Sequence, residues 1–193
     1  MSKSTRQIVY ITHNTVPVWT VILVYQLTIF IHESTIKMDK QNNYQGIIEV
    51  NVPLHTAFEA VSHHVPKWWT ANFGGSSWNI GDSFVTVFGE SFGAFEIVEF
   101  NSDKKIVWQC TDCNLHFLKD KKEWKGTQVV WEFEGDDKHS QITMTHAGLN
   151  PALECFEDCT GGWNHYVKAS LYKLLTEGKG EADHEDYSAK YKQ

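Results

Sequence analysis

The side chains of this sequence best suited to chemistry are one histidine and two pairs of cysteines. His146 ends the stretch Ile142-Thr143-Met144-Thr145-His146, in which Ile142, Met144 and His146 share one side. Side chains alternate between the faces of a strand, so the histidine points inward with its apolar neighbours. An imidazole titrates near neutral pH, and there it can serve as a general acid or base, or as a polar anchor for a bound molecule. It can equally be a strand-end histidine satisfied by the protein itself. No carboxylate near it in sequence is placed to orient the ring. His63-His64 precede Trp68-Trp69, at a cavity mouth or in a surface loop.

Cys110 and Cys113 form a C-x-x-C, and Cys155 and Cys159 lie one helical turn apart. Two such pairs could supply a four-sulfur zinc site, with His116 as a further ligand. Against this, alternation sends Cys110 into the core, where free cysteines pack as small apolar groups. The expectation is no metal and no cofactor. A thioredoxin-like role fails because no helix N-terminus follows Cys110 to lower a thiol pKa. Gly74-Gly75 and Gly161-Gly162 lack the flanking residues of a phosphate loop, and the chain contains neither Gly-x-Ser-x-Gly nor His-Glu-x-x-His. No catalytic signature is complete.

The elements that must hold these residues follow from periodicity. Ile48, Val50 and Val52 alternate in a first strand over Tyr44–Val52, which Pro53 ends. Leu54–Ser62 is a short helix, and Val65–Trp69 makes a second short turn. Phe73–Ser77 reads as loop. Strands follow over Phe84–Phe88, Ala94–Phe100, Lys105–Thr111, Thr127–Glu134 and Gln141–His146. Clean alternation, as in inward Val129, Trp131 and Phe133, marks an antiparallel sheet with one wet face. After Gly148 a long helix carries Trp163, Val167, Ser170, Leu171, Leu174 and Leu175 at steps of three and four, and Gly178 is its expected C-cap. Its apolar stripe must be buried against the sheet. The fold class is α+β.

The 193 residues suit one domain with extensions, and 41% hydrophobic content with 13% aromatics can build a sizeable core. The eight Trp and eleven Phe either fill that core or, in part, line a cavity. The net charge is −7, although residues 1–37 carry Lys3, Arg6 and Lys37 against Glu33. An acidic body lacks the clustered Lys and Arg of a nucleic-acid interface. Lys119–Lys122 includes Asp120 and precedes Glu123, so it reads as a solvated loop.

Val16–Ile31 is a run of 16 residues without charge. It is shorter than the span of about 20 that a membrane helix needs, and no small-residue cleavage pattern follows it. The favoured reading is that translation starts at Met38 and the domain is cytoplasmic. The other is a membrane anchor over residues 16–31, with Lys3 and Arg6 keeping the N-terminus inside and the domain outside. The expected organisation is an extension over 1–37, one domain over 38–180, and a polar tail over 181–193, disordered or loosely helical.

A family resemblance adds to this. Thr145-His146-Ala147-Gly148-Leu149 at a strand end, Gly162-Trp163, Ser170-Leu171 and Gly178-Lys179-Gly180 resemble the START-like (SRPBCC, helix-grip) superfamily, in its AHSA-like branch named for activators of a heat-shock ATPase. Pro53-Leu54, Ala57–Val61, Pro66-Lys67-Trp68-Trp69, Ile106-Val107-Trp108 and Trp124–Thr127 fall in the same order. The resemblance implies a bent antiparallel sheet gripping the long C-terminal helix, two short helices after strand one, and a space between sheet and helix that often holds a ligand. The expected function is binding of a small apolar or amphipathic molecule, lined by Trp69, Phe84, Phe88, Trp108, Trp131, Phe133, Met144, His146, Trp163 and Tyr166. His146 and Tyr166 would be the polar contacts. The alternatives are a protein-interaction module of co-chaperone type and a cyclase- or hydrolase-type enzyme using His146. This fold hosts many functions, so the resemblance fixes none of them.

Overall fold

The structure, a computed structural model, describes residues 43–184. The charge-free run Val16–Ile31, Met38 and the tail beyond residue 184 lie outside the described residues.

Strand β1 (Tyr44–Val50) buries Tyr44, Gly46, Ile48 and Val50 and exposes the residues between them. Pro53 has no N–H to give to a ladder, and the chain turns there into helix α1 (Leu54–Ser62) and the one-turn α2 (Val65–Trp68). β2 (Phe73–Gly75), β3 (Ser83–Phe88), β4 (Ser91–Asn101), β5 (Lys105–Asn114), β6 (Gln128–Gly135) and β7 (Ser140–Ala147) follow. All neighbours pair antiparallel in the order β1-β7-β6-β5-β4-β3-β2. Two register shifts between β4 and β5, at Ala94/Phe95 and Ile97/Glu99, interrupt the alternation. Such bulges bend a sheet and sharpen its twist. Phe73–Gly75, expected as loop, pairs with Phe84–Thr86 as an edge strand. Three residues are too few to show a period.

The C-terminal helix is continuous but not uniform. α3 (Phe156–Trp163) passes into a π-helical segment (Asn164–Leu171) and then α4 (Tyr172–Glu177). Trp163, Val167, Ser170 and Leu171 are buried, as the stripe requires, while Leu174 and Leu175 are half-buried. Gly178 closes the helix at φ 74°, its N–H donating to Leu174 O at 3.1 Å. The architecture is α+β, a bent seven-stranded sheet with one long helix across it, as the helix-grip resemblance implies.

Residues 181–184, the described part of the expected tail over 181–193, are tied to the domain. Asp183 N donates to Trp69 O at 3.0 Å, Ala71 N donates to Asp183 O at 2.8 Å, and Ala182 is buried. Ser170 Oγ, itself buried, donates to Trp68 O at 2.6 Å and accepts from Glu181 N at 2.6 Å. Polar composition does not reveal backbone partners of this kind.

Candidate functional site

His146 is wholly buried, and both ring nitrogens are used within the protein. Trp163 Nε1 donates to His146 Nδ1 at 3.0 Å, and His146 Nε2 lies 2.8 Å from Thr127 Oγ1. An indole can only donate, so Nδ1 is the acceptor and the proton sits on Nε2. Thr127 Oγ1 accepts that proton and donates its own to Trp124 O at 2.6 Å. Burial depresses the imidazole pKa to about 3, so the ring is neutral at neutral pH. Trp124 stands edge-on to it, with centroids 4.9 Å apart. The arrangement is a brace between β7, the β5–β6 connection and α3. It leaves no nitrogen with which to take or give a proton in a reaction.

On the other side of Trp124 and Trp163 lies a cavity of about 310 Å³. Three parts of the chain wall it. The β3–β4 hairpin gives Thr86, Phe88, Ser91, Phe92 and Gly93; the β5–β6 connection gives Leu115, Phe117 and Trp124; the C-terminal helix gives Asp158, Cys159, Gly162, Trp163 and Tyr166. Trp69 closes the inner end, with its ring centroid 5.0 Å from that of Trp163. Glu123 holds the connection against the helix, accepting from Glu154 N and Cys155 N, both at 2.9 Å. That contact stacks Trp124 parallel to Trp163 at 5.8 Å. Gly162 is the low point of the helix wall: a Cβ built there meets no other atom within 4 Å.

Of the ten residues that the sequence singled out, Trp69, Phe88, Trp163 and Tyr166 meet on this wall. Phe84, Trp108, Trp131, Phe133, Met144 and His146 do not line it; they are packed in the core. Trp108 has Trp69, Phe84, Phe95 and Trp131 around it, with centroids 5.1 to 6.2 Å away. Trp131 also meets Trp68 edge-on at 5.6 Å. Rings fill the middle of the grip, and the space remains at the hairpin end. A larger groove, about 710 Å³, runs between the β1 end, the β6–β7 turn and α4, where Glu49, Asn51, Glu134, His139 and Gln141 mix with Val50, Val52, Tyr172 and Leu175.

The family model described as "Activator of Hsp90 ATPase homolog 1-like protein" matches residues 51–176. The chain belongs to that family. No curated protein sequence matches the chain. Among solved structures, it is similar to the Aha1 dimer from Colwellia psychrerythraea, at 19% identity and TM-score 0.57, over 72% of this chain and 98% of that one. It is also similar to PFC0360w, an HSP90 activator from Plasmodium falciparum, at 20% identity and TM-score 0.51, over 72% and 97% of the two chains. SSP2350 from Staphylococcus saprophyticus aligns at 17% identity and TM-score 0.53, over 73% and 98%. At these identities the likeness is one of fold.

The family span contains every cavity-lining residue. It also contains all four cysteines, which are free and buried. Burial and the neighbouring Cys113 push the Cys110 thiol up to about 12; Cys159 is pushed up by its hydrogen bond with Cys155 and by burial. Such thiols are poor nucleophiles and poor ligands. Among the described residues, no three metal-ligating side chains converge. No described helix is long and apolar enough to cross a membrane.

Sequence reasoning passed over Trp124, Phe92, Phe117, Leu115 and Gly162. Trp124 follows the Lys119–Lys122 stretch read as a solvated loop, and entered only through the family resemblance, as Trp124–Thr127 ahead of a strand. A glycine pair inside a helical period was the available signal for Gly162.

Proposed function

We propose that this protein binds a small apolar or amphipathic molecule in the cavity beside Trp124 and Trp163. The observation that carries this is Gly162. A glycine inside a helix costs about 1 kcal/mol relative to alanine; a Cβ added at Gly161 or at Gly162 meets no neighbouring atom within 4 Å, and of the two only Gly162 lines the cavity. A site that needs room for a ligand explains a residue that helix stability disfavours. Aromatic walls with few polar groups suit an apolar ligand. No chemical step is assigned, since His146 does not face the cavity. The four free thiols suit a reducing compartment, and cytoplasmic residence is proposed with them.

The test is a titration with N-phenyl-1-naphthylamine, a neutral fluorescent probe, on the parent and on Gly162→Phe, which would fill the space. Saturable binding in the parent, weakened at least about tenfold in a folded variant (~1.4 kcal/mol), is expected. No saturable binding in the parent, or equal binding in both, would sink the reading.

A second reading rests on a different surface. Trp78, Ile80 and Val98 are 53%, 67% and 41% exposed. Gly81 N donates to Ile97 O at 2.8 Å, which joins the segments that carry Ile80 and Val98. Exposed apolar side chains on joined segments favour a protein contact, in keeping with the co-chaperone alternative. Trp78→Ser with Ile80→Ser should then abolish a partner complex without touching probe binding; retention of the complex would remove this reading.

A further inference from the structure

The cavity's single charged lining residue is an acid. Asp158 stands on the first turn of α3, exposed at the cavity rim. It makes no ion pair or side-chain hydrogen bond among the described residues. No lysine, arginine or histidine lines the cavity. Acids are favoured in a first helical turn by the macrodipole, but Glu157 already occupies that turn without lining the cavity. Of the two first-turn acids, only Asp158 lines the cavity.

Aromatic rings line the same cavity. Trp124 and Trp163 stack at 5.8 Å, and Phe88 and Tyr166 meet at 5.6 Å with planes tilted by 50°. Aromatic faces carry negative potential and attract ammonium groups, Trp most strongly. The protein already sets one such group over a wall residue: Lys122 Nζ lies 5.5 Å from the Phe92 centroid, held by Asp112 at 2.8 Å. An anionic ligand would find a carboxylate and no cation among the lining residues. A neutral one would leave Asp158 unused.

We infer that the cavity selects a cationic apolar ligand, an alkyl- or arylammonium whose charged head is favoured by the aromatic lining and by the Asp158 carboxylate. This rests on the cavity being a binding site, and the experiment separates the two claims. Titrate the full chain at low ionic strength, where exposed charges are least screened, with phenyltrimethylammonium and with its neutral isostere tert-butylbenzene, on parent, Asp158→Asn and Glu157→Gln. Circular dichroism verifies that each variant is folded. The cation should bind the parent about tenfold tighter than the isostere. Asp158→Asn should bring the two affinities together by weakening only the cation, and Glu157→Gln should change neither. Saturable binding of tert-butylbenzene as tight as the cation's keeps the cavity and overturns the selectivity. A cation preference unchanged in Asp158→Asn, or lost equally in Glu157→Gln, also overturns it. If neither probe saturates, both claims fall.

Discussion

At the residue scale, His146 shows how burial decides between two roles that one side chain could fill. A wet imidazole beside the cavity would be a candidate base. The buried ring is instead neutral, with a defined tautomer. The consequence for stability has a definite sign. Its pKa is about 3 in the fold against about 6.5 unfolded. Between these values the unfolded chain binds a proton that the fold does not. The contribution is therefore full above pH 6.5 and falls as pH drops toward 3, at about 1.4 kcal/mol per pH unit. Between pH 7 and pH 5 the parent should lose roughly 2 kcal/mol through this residue, and His146→Gln should lack that component. Equal pH dependence in denaturant melts of both proteins would refute it. As a check without mutation, ¹⁵N shifts should show a protonated Nε2 and a bare Nδ1 down to pH 5. Burial also raises the thiol pKa values of Cys110, Cys113 and Cys159, and the protein should carry less than one zinc per chain by elemental analysis after purification without chelator. One zinc, lost in Cys110→Ser with Cys113→Ser, would be the contrary result.

At the element scale, the C-terminal helix carries both the strongest sequence signal and the largest departure from it. The steps from Trp163 to Leu171 and the Gly178 cap were legible because apolar spacing and left-handed glycine follow from local sterics. The π-helical segment was not, because i→i+5 spacing differs from i→i+4 by less than an apolar stripe can register. The strands were legible from alternation, and β2 was not, being three residues long. At the site, Trp163 and Tyr166 were found through the helix stripe, whereas Trp124 was hidden because its place depends on Glu123 capping the start of α3, a contact between distant segments. Two substitutions examine this helix. Gly162→Ala should raise stability by about 0.5–1 kcal/mol, since the added methyl meets open space and gains helix propensity; destabilisation would mean that the glycine answers a backbone need. Ser170→Ala strands Trp68 O and Glu181 N together and should cost about 1–3 kcal/mol in urea melts. No change in midpoint would show that water replaces the hydroxyl there.

At the scale of the whole molecule, the cavity is a joint between parts that are distant in sequence. Its walls come from the β3–β4 hairpin, the β5–β6 connection and the C-terminal helix. Separating any of them opens it, so a ligand held there binds the folded chain and has no site in the unfolded one. Binding must then stabilise the fold as RT ln(1 + [L]/Kd), about 2.7 kcal/mol at a hundredfold excess over Kd. For a domain of this size that is a rise in Tm of roughly 5–10 °C. N-phenyl-1-naphthylamine should produce such a rise in the parent, growing with the logarithm of its concentration, and none in Gly162→Phe. The same rise in both proteins would place the probe elsewhere, on the groove by α4 or on the apolar surface around Trp78 and Ile80. A double variant, Trp78→Ser with Ile80→Ser, separates these outcomes, since it removes the surface site and leaves the cavity walls untouched. A shift that survives it and disappears in Gly162→Phe ties the folding of the three segments to the occupancy of the space between them.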